Sequence, residues 1–144
     1  MKKFVVLFVL FLLCSPAFAT ATAELQNCSS KTYKDFALQH YMRQGFVLQS
    51  VNDYSVTFSK IDNSAKGSIL AHVSGAKIAQ FPEIQVVLNT VQNGNNLIVQ
   101  FSVFTLIDKG TAFQKQIALS PKMEVAELNN LNNLFLGSLK NENQ

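Results

Sequence analysis

The chain has 144 residues, of which 48% are hydrophobic, and it carries a formal net charge of +3. This length suits one domain. Lys2 and Lys3 account for two of the positive charges, and Arg43 is the single arginine. The rest of the chain is therefore nearly neutral, which argues against nucleic acid as a partner.

Residues 1–19 have the pattern of a cleaved signal peptide. Two lysines open the segment, an apolar run follows from Phe4 to Leu13, and Ala17 and Ala19 provide the small residues that signal peptidase recognises. The apolar run is shorter than the roughly 20 residues that a membrane helix needs. We therefore predict a mature chain that begins at Thr20 without an integral membrane segment. It would be periplasmic, with secretion as the alternative.

The cysteines allow no disulfide within the mature chain. Cys14 leaves with the signal peptide, so Cys28 is a free thiol. A lipid anchor at Cys14 is disfavoured because Leu13 stands where lipidation requires a small residue. Residues 20–30 show no clear periodicity and predict a flexible arm. Cys28 lies on that arm, either as a tolerated thiol or paired with another chain.

The first predicted helix follows the arm. Thr32 and Asp35 can form a capping box, and Gly45 provides a left-handed cap at the other end. Apolar residues recur at helical spacing between these caps. They are Tyr33, Phe36, Ala37 and Tyr41, and His40 falls on the same stripe.

A period of two residues replaces the helical period after Gly45 and predicts strands. Tyr54, Val56 and Phe58 alternate with polar residues, and a short strand is predicted around Ile69 to Val73.

The dipeptide Asn93-Gly94 favours a type I′ hairpin. A turn centred there would pair Thr90 with Leu97 and Leu88 with Val99, which places these four side chains on one face.

A further strand is predicted around Phe113 to Leu119, and Ser120-Pro121 marks the start of a second helix. Its outer side contains asparagines, which are poor helix formers, so we expect this helix to be stable only when it packs against the rest of the domain. Its apolar face consists of Val125, Leu128, Leu131, Phe135 and Leu139.

These elements predict an α+β fold with an N-terminal helix, an antiparallel meander sheet of about five or six strands, and a C-terminal helix. Both helices would cover the same face of the sheet as a two-layer sandwich. The domain would span residues 31–140, and residues 141–144 would form a polar tail.

No motif for catalysis, a metal or a cofactor is present, so we predict a non-catalytic protein that needs neither metal nor cofactor. Most carboxylates lie at predicted turns or helix ends, where they have a local structural role. Glu124, near a helix N-terminus, is one of these. Glu83 alone lacks such a role. The enzymatic alternative is a Cys28 nucleophile with His40 or His72 as its base. It is disfavoured because a flexible arm cannot hold a nucleophile in place.

Ile78 and Phe81 lie in a predicted loop, where they either bind a partner or pack beneath the loop. We therefore predict a small exported protein of the bacterial envelope that binds another envelope or secreted protein. It would act as an accessory factor or as an inhibitor or immunity protein, and its oligomeric state stays open. The alternative is a carrier of a small hydrophobic ligand held between the helices and the sheet.

Overall fold

The computed structural model describes residues 20–77 and 81–142, with side chains as far as residue 140. The predicted signal peptide, Ile78 and the last two residues lie outside this part. In chain order the elements are β1 (Ala21–Gln26), α1 (Ser30–Arg43), β2 (Val47–Val51), β3 (Ser55–Ile61), α2 (Ala65–Val73), β4 (Glu83–Asn93), β5 (Asn96–Ile107), β6 (Lys115–Ala118) and α3 (Pro121–Glu142).

The six strands form one antiparallel sheet in the order β1-β5-β4-β3-β2, and β6 pairs with the remaining length of β5 beyond β1. Side chains of α1 and α3 share a single buried cluster with the inward-facing side chains of the strands. Both helices therefore cover one face of the sheet, and the predicted α+β fold is confirmed. No helix in the described residues is long and apolar enough to span a membrane.

Both long helices form where the sequence predicts them. Tyr33, Ala37 and Tyr41 of α1 are buried. The helix ends at Arg43, and Gly45, which follows the C-cap residue Gln44, has a φ of +83° and provides the left-handed cap. At the start of α1 the cap is Ser29, whose hydroxyl accepts from the Thr32 amide, and not the predicted capping box.

The apolar face of α3 is buried through three side chains, namely Leu128, Leu131 and Phe135. Val125 departs from the prediction, since 47% of it is exposed. The helix also continues to Glu142, so the predicted polar tail begins inside the last turn.

The flexible arm predicted over residues 20–30 is wrong, because strand β1 occupies most of it. β1 pairs with β5 in a register that sets Ala21 opposite Phe101 and Leu25 opposite Leu97. Ala21 and Leu25 are buried, and they alternate with polar residues. This period of two is easily missed, since two of the three inward residues, Ala21 and Ala23, are only alanines.

The short strand predicted around Ile69 to Val73 is also wrong, because this segment belongs to helix α2. Ser64 caps that helix by accepting the Gly67 amide at 3.1 Å. A local N-cap therefore outweighs the strand preference of Ile69 and Val73.

The hairpin between β4 and β5 is confirmed, but its register differs by two residues. Thr90 lies opposite Val99 and Leu88 opposite Phe101. The central turn residues are Gly94, with a φ of +58°, and Asn95. Glycine in the first central position is typical of a type II′ turn. A shift of two residues leaves every side chain on its predicted face.

Tyr54 departs from the predicted face of β3. It lies in the turn before the strand and is 69% exposed, whereas Val56 and Phe58 are buried as predicted. The amide oxygen of Asn52 accepts from the Tyr54 and Ser55 amides and organises this turn.

Candidate functional site

A cavity of about 270 Å³ lies between α1, α3 and the inner face of the sheet. Its walls are mostly aliphatic and aromatic, with a few polar side chains. The lining residues are Tyr41, Gln44, Phe46, Ile84, Val86, Phe101, Val103, Thr105, Leu119, Met123 and Glu127.

The packing of the two long helices explains why the cavity lies at this end of the molecule. Near the start of α1, Tyr33 and Phe36 contact the Phe135 ring of α3, with ring centroids 4.9 Å and 5.4 Å apart. Tyr41 follows Phe36 by five residues on α1, and Glu127 precedes Phe135 by eight residues on α3, which are roughly 7.5 Å and 12 Å along a helix. The aromatic contact therefore holds the helices together at one end, and the cavity occupies the other.

Tyr41 forms the inner wall of the cavity. Its ring packs against Phe46 and Phe58, at centroid distances of 5.3 Å and 4.9 Å. The residue is 2% exposed, and its hydroxyl has no hydrogen-bond partner. Burial, reinforced by the Glu127 carboxylate, raises the pKa of Tyr41. The hydroxyl is therefore neutral and available both to donate and to accept a hydrogen bond.

Polar and flexible side chains mark the mouth of the cavity. Gln44 and Met123 are exposed, and Glu127 is half-buried. Lys60 fixes one side of the mouth, because its ammonium group donates to the Gln44 carbonyl at 2.7 Å and lies 5.7 Å from the centre of the Phe46 ring. An apolar chamber with a few placed polar groups is typical of a site for a small molecule.

Glu124 holds one wall of this chamber in place. Its Oε1 accepts the Val103 amide at 2.9 Å, and the Leu119 amide donates to the Val103 carbonyl at 2.9 Å. Val103 lies between the part of β5 that pairs with β1 and the part that pairs with β6. Glu124 therefore substitutes for a strand partner and ties α3 to the sheet.

Sequence reasoning assigned Glu124 to the dipole of its helix and so missed this contact, which depends on a residue 21 positions away. For Tyr41, the available signal was a polar hydroxyl on a largely apolar helix face, a feature that Tyr33 shares.

The predicted residues of the disfavoured thiol enzyme are not brought together. Cys28 is buried, its thiol lies 3.3 Å from the Gln26 carbonyl, and burial raises the thiol pKa. A neutral thiol is a poor nucleophile. His40 bonds instead to Gln44 at 2.7 Å, and His72 lies on α2.

Two other residues that the sequence analysis singled out, Phe81 and Glu83, are not among the residues that line the cavity. Phe81 of the predicted partner-binding loop is 58% exposed. Glu83 has a structural partner after all, since Lys109 forms an ion pair with it at 2.6 Å.

Across the described residues, no three His, Cys, Asp or Glu side chains are grouped closely enough to hold a metal ion. Compared with models of protein families and with curated protein sequences, the chain matches none.

Proposed function

We propose that this protein binds a small, largely apolar ligand in the cavity between its helices and its sheet. The observation that carries the proposal is that Tyr41, whose buried hydroxyl has no hydrogen-bond partner, is one of the residues lining an apolar chamber. An unpartnered buried hydroxyl costs about 1–3 kcal/mol. A ligand with one hydrogen-bonding group would remove that cost.

The volume limits the size of the ligand. An apolar protein cavity of about 150 Å³ accepts benzene, and this cavity measures about 270 Å³. The ligand would therefore have about ten non-hydrogen atoms, as in a substituted aromatic ring or a short acyl chain. At roughly 0.5 kcal/mol per atom, its dissociation constant would fall between about 10 µM and 1 mM.

Export is part of the proposal. Removal of residues 1–19 would place the domain in the periplasm, where it would act as a carrier. The signal pattern of Lys2, Lys3 and the Ala17-Phe18-Ala19 segment supports this location.

Two probes of similar shape test the role of the hydroxyl. Acetophenone carries a carbonyl oxygen that can accept from Tyr41, and isopropylbenzene replaces that oxygen with a methyl group. Titrations followed by NMR are expected to show both probes binding. In a Tyr41→Phe variant, the affinity for acetophenone is expected to fall by about tenfold, the equivalent of one net hydrogen bond. The affinity for isopropylbenzene is expected to stay within about twofold, because it makes no such bond.

Filling the cavity should abolish binding. In Val86→Phe the larger side chain enters the chamber, so the affinity for both probes is expected to fall by at least about tenfold. Val87→Phe is the matched control, because Val87 is the next residue on β4 and points to the opposite face of the sheet. Unchanged binding by folded Val86→Phe would exclude the cavity as the site.

The second candidate function is the predicted binding of another protein. It is favoured by the apolar surface of α2, where Ile69 is 63% and Val73 is 78% exposed. Isolated apolar side chains are common on protein surfaces, so this observation is weaker than the cavity.

A charge on α2 tests the second candidate. If an envelope protein co-purifies with the mature chain, Val73→Asp is expected to weaken that association by at least about tenfold, since a charge in an apolar contact is costly. Val125→Asp, on the exposed side of α3, is the control. An association that survives Val73→Asp would remove α2 from the interface.

A further inference from the structure

The outer edge of β5 contains a position that no strand fills. Ala21 lies opposite Phe101, and the Thr20 and Ser102 hydroxyls lie 3.5 Å apart, so Thr20 faces Ser102. The next residue of β5 is Val103, and there Glu124 and Leu119 take the two backbone hydrogen bonds. The Glu124 carboxylate therefore stands at the end of β1, directly beyond Thr20 in the register.

Only one of the two oxygens of this carboxylate has a hydrogen-bond partner. Glu124 is 2% exposed, and its Oε2 has no hydrogen-bond partner. Among the described lysine, arginine and histidine side chains, none forms an ion pair with it. A buried carboxylate with a free oxygen is costly unless a cation is supplied nearby.

Cleavage of the predicted signal peptide creates such a cation. Hydrolysis of the bond between Ala19 and Thr20 adds water, leaves a carboxylate on Ala19, and leaves an amine on Thr20 that takes up a proton. α-Amino groups have an ordinary pKa of about 7.7–8, so the Thr20 amine is mostly an ammonium group near neutral pH. It then has three donors and a positive charge, whereas the uncleaved amide has one donor and no charge.

We propose that Glu124 is the binding site for the α-ammonium group of Thr20 in the mature protein. The new ion pair ties the first residue of the mature chain to the start of α3, beside the cavity wall formed by Val103 and Leu119. Removal of the signal peptide thereby stabilises the fold of the mature chain. This proposal does not depend on the cavity holding a ligand.

The test compares two N-termini in two backgrounds. One chain begins at Thr20, and the other carries Gly-Ser-Gly-Ser before Thr20, which moves the charged amine away. Each is made with Glu124 and with Glu124→Gln, which keeps an oxygen for the Val103 amide but loses the charge. With Glu124, the chain beginning at Thr20 is expected to melt roughly 3–6 °C higher than the extended chain. With Glu124→Gln, the difference is expected to disappear.

Two results would overturn the proposal. One is equal melting temperatures of the two chains with Glu124. The other is a difference that persists in Glu124→Gln, because the extension would then act sterically and not through charge.

A second measurement needs no stable variant. The Thr20 amine of the folded wild-type chain is expected to react with an acylating reagent near pH 7 several-fold more slowly than after urea unfolding. Equal rates would contradict an ion-paired amine.

Discussion

Phe135→Ala is expected to destabilise the protein by about 3–5 kcal/mol, the largest effect of any substitution considered. Phe135 is 1% exposed, and its ring joins α3 to α1 through the Tyr33 and Phe36 rings. Loss of the ring removes buried apolar surface and leaves a cavity where the two helices meet. Helix α3 contains several asparagines, which are poor helix formers, so it depends on this docking.

Urea denaturation followed by circular dichroism measures the change. Leu134→Ala is the matched control, since the adjacent Leu134 is 45% exposed and its replacement is expected to cost less than about 1 kcal/mol. Equal destabilisation by the two variants would show that α3 does not dock through Phe135.

The two buried tyrosines of α1 are expected to respond to the same substitution with opposite signs. The Tyr33 hydroxyl donates to the Asn132 amide oxygen at 2.6 Å, and both residues are buried. Tyr33→Phe leaves that oxygen unpaired and is expected to destabilise the protein by about 1–3 kcal/mol. Tyr41→Phe removes a hydroxyl that has no partner. It is expected to be neutral or to stabilise the ligand-free protein by up to about 2 kcal/mol.

Denaturant midpoints of the ligand-free variants give both values, and each variant serves as the control for the other. Destabilisation of Tyr41→Phe to the extent of Tyr33→Phe would show that the Tyr41 hydroxyl is already satisfied. The cavity would then lose the polar group that the proposed ligand uses. A neutral Tyr33→Phe would instead contradict the bond to Asn132.

Part of the candidate site could be predicted from the sequence. The predicted hairpin placed Leu88 and Val99 on one face, which Val86 and Phe101 share by alternation, and the two-residue error in the register did not change that face. Tyr41 was placed on the buried side of α1. The chamber itself was not predictable, because its lining comes from α1, α3 and several strands that only the tertiary structure brings together.

Local patterns determined the two long helices, the alternation of the central strands, and the α+β class, because each depends on residues close together in the chain. The tertiary structure decided the strand at Ala21–Gln26, the burial of Cys28 and the role of Glu124. The strand depends on β5, which lies 70 to 80 residues further along the chain, and the role of Glu124 depends on Val103, which is 21 residues away. A short, weakly patterned segment gains its structure from such a partner, since a single strand cannot satisfy its own backbone hydrogen bonds.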